Sequence, residues 1–232
     1  MNLARAGLAA YNVAMPDINE FLRQLSIWVI PGIFAITVHE VSHGYVARMF
    51  GDRTAEMVGR LTLNPLKHVD PMGTVIVPLI MLLLPGNFIF GWAKPVPVAQ
   101  RNLRNPRRDM AIVAAAGPAS NIVMAVFWAL VAKVAVLINV EWLTPWLVNV
   151  GAVGILFNLV LAVLNLLPIP PLDGGRVVTN LLPAGVSDKF DRIEPYGFMI
   201  IIGLLVFGVL GRIIAPPIYF LRDLILTVMG LG

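Results

Sequence analysis

The run from Ser26 to Phe50 is apolar and long enough for a membrane-spanning helix, which needs roughly 20 residues, yet it carries His39, Glu40 and His43 in its interior. Ionisable groups inside a spanning helix are expensive: insertion scales give at least about 2.5–3.5 kcal/mol for a central Asp, Lys or Arg, so such groups are rare and functional. Lipid also demands that the backbone satisfy its own hydrogen bonds, which restricts a chain of this kind to a helical bundle or a closed barrel. Further apolar stretches at Met110–Leu137, Gly151 to about Leu182 with a proline-rich interruption, and Phe198–Ile214 select the bundle; Ile218–Leu231 is borderline in length. At 58% hydrophobic and 13% charged, the composition departs from the roughly 45–50% and about 25% of soluble domains in the same direction. No composition shift divides residues 1–232, which read as a single membrane-embedded domain.

The region between the first two long runs reads differently. Thr74–Leu84 is apolar but of re-entrant rather than spanning length. Around it, Gly59, Pro65, Pro71, Gly86, Gly91, Pro95 and Pro97 exclude a long helix and predict short strands at Ala55–Leu63 and Phe88–Val98, the second confined to an edge by its prolines. The expected fold is an all-α polytopic bundle with a small membrane-associated β-hairpin or strand region and a re-entrant segment. Lys and Arg concentrate in Gly51–Asp109 and in the loop after Leu182, whereas Ile138–Val150 has neither, which places the first two at the cytoplasmic side of a cell membrane. The net charge of +4 therefore reports orientation rather than nucleic-acid binding. Met1–Glu20 carries Asp17 and Glu20 without an uninterrupted apolar core and reads as an interfacial lead-in, not a cleaved signal peptide.

His39-Glu40-Val41-Ser42-His43 is a complete H-E-x-x-H motif. On a helix, imidazoles four residues apart share a face and can reach one Zn²⁺, with Glu40 beside the metal as general base. The absence of Cys leaves only His and carboxylates as strong ligands, and a catalytic zinc generally takes three from the protein. Two residues are candidates for the third: His68, among the turn residues of Asn64–Pro71, and Asp173, where prolines interrupt a membrane segment. Depth favours Asp173, since the first and third spans both run inward and bring it level with the histidines.

The motif, the segment Ala115-Ala116-Gly117-Pro118-Ala119-Ser120-Asn121 expected to open a helix, and Asn165 through Pro168 to Asp173-Gly174 together resemble the site-2 protease family of intramembrane metalloproteases in its minimal form. The resemblance implies one zinc per chain on His39, His43 and Asp173, water activation by Glu40, and Asn165 close to the active centre; the chemistry of its amide makes Asn165 a candidate donor to the oxyanion, the alternative being an interhelical hydrogen-bonding residue. It also implies a transmembrane protein as substrate, cleaved by regulated intramembrane proteolysis. A substrate helix must unwind before its carbonyls are accessible, and the strand with Trp92, Lys94, Val96 and Val98 is the expected edge to hold the extended product. A different class, a transporter moving zinc or protons through intramembrane His and Asp, shares the broken helices but gives Glu40 no task. Substrate, trigger and oligomeric state are not legible in the residues.

Overall fold

The computed structural model describes residues 18–77, 80 and 93–232. Eight α-helices are present among them: α1 (Ile18–Met49), α2 (Thr54–Met57), α3 (Pro106–Ile138), α4 (Thr144–Asn165), α5 (Asp173–Leu181), α6 (Ala184–Asp191), α7 (Glu194–Val206) and α8 (Val209–Met229). Three of these, α1, α3 and α4, are long and apolar enough to cross a membrane, and α7 with α8 forms a pair bent by 84° at a short break. The outer faces support that reading: only 28%, 33% and 44% of the most apolar windows of α1, α3 and α4 are buried within the chain, and Trp28, Phe34, Phe127 and Leu130 point outward. So much exposed apolar surface is stable only in lipid. This is a membrane protein.

The three long helices pack side by side, with α8 closing one flank. Ile27 of α1, Ala125, Trp128 and Ala129 of α3, Val150, Ile155 and Leu159 of α4, and Ile218 and Ile225 of α8 form the main core. Helix boundaries follow local chemistry. Pro106 at the first turn of α3 needs no hydrogen-bond partner there, and the Asp109 carboxylate accepts the Asn105 N–H at 2.7 Å. At the other end Asn139 turns left-handed (φ 52°) and stops the helix. Helix α4 ends at Asn165 because Pro168, Pro170 and Pro171 cannot continue it.

Two expectations are corrected. Among the described residues there is no strand: Thr54–Met57 is helical, residues 58–64 are irregular, and 93–99 is extended without a ladder. The reason is donor supply. Thr54 gives both its N–H and its hydroxyl to Asp52, which starts a helical turn, and Pro95 and Pro97 have no N–H with which to pair. Phe88–Trp92 and most of the re-entrant segment lie outside the described residues; its start belongs to a π-helical turn over Pro71–Ile76. The stretch Phe198–Ile214 is also not one helix, since it breaks between Val206 and Val209.

Candidate metal centre

His39 and His43 lie in the last third of α1, both buried and one turn apart. Their orientation can be traced through a chain of hydrogen bonds from the neighbouring helices. The Asn158 side-chain N–H donates to the Gly154 carbonyl at 2.8 Å, which leaves its Oδ1 to accept from Asn121 at 2.9 Å. Asn121 donates a second time, to the Ala35 carbonyl at 3.1 Å, so its own Oδ1 faces His39 Nδ1 at 2.6 Å. His39 Nδ1 must therefore carry a proton. His43 Nδ1 must too, since it lies 2.7 Å from the Val113 carbonyl, which can only accept.

Rings held in this way turn both Nε2 atoms toward each other. The two nitrogens are 3.1 Å apart, and Asp173 Oδ2 sits 3.1 Å from one and 3.3 Å from the other, buried and without a hydrogen-bond partner of its own. Three groups of this kind facing one point at such distances could hold a metal ion between them. Ligands about 2.0–2.1 Å from a tetrahedral metal lie roughly 3.3–3.4 Å from one another, close to the spacing observed here. The donor set of two imidazoles and one carboxylate suits zinc chemistry, and it is the one metal-ligand cluster of three such residues among those described.

Backbone shape brings these groups together. After α4 the chain turns sharply over residues 166–172, and α5 folds back so that a Cβ at Gly174 would lie 2.3 Å from the Leu166 carbonyl oxygen. Only glycine admits that approach, and it delivers Asp173, the first residue of α5, to the histidines. From α3, a Cβ at Gly117 would lie 2.4 Å from His43 Nε2 and 2.6 Å from His39 Cε1, so the missing side chain is the space the imidazoles occupy. The segment Ala115–Asn121 does not open a helix as expected; it is internal to α3, which places Gly117 and Asn121 against the histidines.

Glu40 adjoins this cluster, where its Oε2 accepts the Val96 N–H at 2.8 Å. Together with His39, His43, Val96, Asn165 and Asp173 it lines a cavity of about 170 Å³. Asn165 thus lies at the site, with one amide N–H given to the Leu161 carbonyl of its own helix at 3.0 Å. Val96 and Val98 line the cavity, Lys94 is exposed, and Trp92 lies outside the described residues. His68 belongs elsewhere: it is 2% exposed and its Nε2 donates to the Thr62 carbonyl at 2.8 Å. In the sequence Asn121 stands out only as part of the Ala115–Asn121 segment, and Asn158 is a single amide among apolar neighbours. The signal available for both was a buried amide in an otherwise apolar span.

Comparison with known proteins agrees with this chemistry. The chain is 40% identical over 205 residues to YwhC of Bacillus subtilis (strain 168), named as a candidate zinc metalloprotease, covering 87% of this chain and 90% of that one. The family model for Peptidase family M50 matches residues 137–208. The chain belongs to peptidase family M50, the site-2 protease family. Rip2 of Mycolicibacterium smegmatis (strain ATCC 700084 / mc(2)155), named in the same way, is a more distant relative, 32% identical over 200 residues, with 85% of this chain and 73% of that one covered. No solved structure matches.

Proposed function

We propose that this protein is an intramembrane zinc metallopeptidase that holds one zinc through His39, His43 and Asp173 and hydrolyses a peptide bond in or near a transmembrane segment of another membrane protein. The observation that carries the reading is the convergence of His39 Nε2, His43 Nε2 and Asp173 Oδ2 next to a carboxylate, Glu40, that is not part of the cluster. Bound zinc supplies Lewis acidity, polarising the scissile carbonyl and bringing a water's pKa to about 7. The chain's own residues do the rest. Glu40, with Oε2 held by Val96, takes the proton of the attacking water as the new C–O bond forms, and passes it to the nitrogen as the C–N bond breaks. Asn165 keeps a second amide N–H with which to meet the developing oxyanion.

Water reaches the centre through a second, polar cavity of about 550 Å³ that shares Val98, Met110 and Arg176 with the first. The substrate meets the segment with Lys94, Val96 and Val98 mostly through side chains and carbonyls, because Lys94, Val96 and Ala99 donate their N–H groups within the chain, Pro95 and Pro97 have none, and Val98 alone among the residues from Lys94 to Ala99 has an N–H to offer. The membrane is the cell membrane, with the site toward the cytoplasm, as the clustering of Lys and Arg supports.

The test is cleavage of a synthetic transmembrane peptide by purified protein, with Glu40→Gln as the comparison. Wild type should cut in the presence of zinc and stop when the metal is chelated. The variant should keep its zinc and lose about 10²–10⁴ in rate, the usual contribution of a general base. Intact peptide with zinc-loaded wild type, or near-normal cutting by Glu40→Gln, removes the reading.

A further inference from the structure

Between Lys94 and Ala99 the chain crosses the mouth of the site as an extended strap. Its first anchor is the His68 carbonyl, which accepts the Lys94 N–H at 2.9 Å. His68 is itself pinned, its buried imidazole donating to the Thr62 carbonyl at 2.8 Å. The second anchor is Asp52, just beyond the end of α1, where Oδ2 accepts the Ala99 N–H at 2.7 Å. Between the two anchors the Val96 N–H meets Glu40 Oε2 at 2.8 Å.

Asp52 is built for this position. It is 1% exposed, and its other oxygen, Oδ1, accepts from the Thr54 N–H at 3.1 Å, the Thr54 hydroxyl and the Asn102 amide at 2.9 Å. Burial works to raise this carboxyl, but the donated hydrogen bonds outweigh it and hold it below the ordinary carboxylate range. The two oxygens thus have separate tasks: Oδ1 holds the turn after α1, and Oδ2 holds the strap.

We infer that Asp52 is a positioning residue for the general base: by clamping Ala99, with His68 holding the other end, it sets where the Val96 N–H meets Glu40 and so where the Glu40 carboxylate stands. This rests on the proteolytic reading above. Displacement of a catalytic group by about 1 Å can cost about 10²-fold in rate, so the strap matters to turnover without touching zinc.

Asp52→Asn separates the two tasks, because the amide keeps an acceptor at Oδ1 and puts a donor where Ala99 also donates. Full-length protein in detergent would be measured for zinc content, thermal midpoint, kcat and KM on the transmembrane peptide. For D52N we expect stoichiometric zinc, KM within about twofold of wild type and kcat lower by roughly 10- to 100-fold. Asn102→Ala removes a donor to Oδ1 and to the Thr54 hydroxyl but none to Oδ2, and should keep kcat within about twofold while lowering the midpoint. His68→Ala loosens the opposite anchor and should show the same split as D52N, which keeps the idea testable should D52N fail to fold. Wild-type kcat in either folded anchor variant, a loss carried by KM alone, or an equal fall in Asn102→Ala would overturn the inference. Zinc-loaded wild type that does not cleave at all would instead remove the proteolytic reading, and this one with it.

Discussion

His39 and His43 are ordinary side chains, and what suits them to a metal site is what their far nitrogens are required to do. Asn121 and the Val113 carbonyl take the Nδ1 protons, and such outer partners fix tautomer and ring direction in metal centres generally. Asp173 has the complementary property, a buried oxygen with no donor to meet it. Its removal should therefore cost the metal directly. Asp173→Ala is expected to purify with zinc well below one per chain, whereas His68→Ala should stay near one, because His68 bonds Thr62 and makes no contact with the cluster. Elemental analysis of both variants decides this, and the reverse pattern would transfer the third ligand to His68.

Three elements meet at the centre, and each is there because a local feature allows close approach. Helix α1 supplies the imidazoles, α3 passes them with Gly117, and α5 brings Asp173 after the proline-rich turn. An added methyl at Gly117 meets ring atoms well inside contact distance, and rings held by buried hydrogen bonds cannot retreat cheaply. Gly117→Ala should lower stability by about 1–3 kcal/mol, the usual cost of overpacking. It should also weaken zinc binding through the displaced rings, which chelator competition and thermal unfolding would detect together. Unchanged zinc affinity would mean that α3 and α1 can part without cost at this level.

For the whole molecule, the candidate metal centre lies toward one end of the bundle. His43 lies about 9 Å of helix rise before the end of α1, taking 1.5 Å per residue, Val113 is near the start of α3, and Asn165 ends α4. The same end leads into Arg53, Lys67, Arg101, Arg104 and Arg107, while the α3–α4 turn at the far end has Glu141 and no basic residue. Positive charge in short loops stays inside. Single cysteines, informative because the native chain has none, should thus react with an impermeant reagent from outside at Asn139 but not at Lys67 or Arg101. Labelling at both basic positions and silence at Asn139 would invert the orientation.

Residue order alone determined the parts of this protein that depend on local periodicity and on cost. His39 and His43 share a face because an α-helix repeats every 3.6 residues, and their presence in an apolar run marks them because lipid penalises them. Asp173 was legible for a related reason, as a carboxylate at a proline break inside an apolar stretch. The tertiary structure decided what depends on partners distant in the chain. Asn121 orients His39 only because α3 and α4 pack on α1, and residues 93–99 form a strap rather than a strand because their donors find Glu40, Asp52 and His68 before any second strand. Pro95 and Pro97 confined any ladder on that segment to an edge. Where Lys94, Val96 and Ala99 sent their own N–H groups was a matter of packing, which no spacing along the chain encodes.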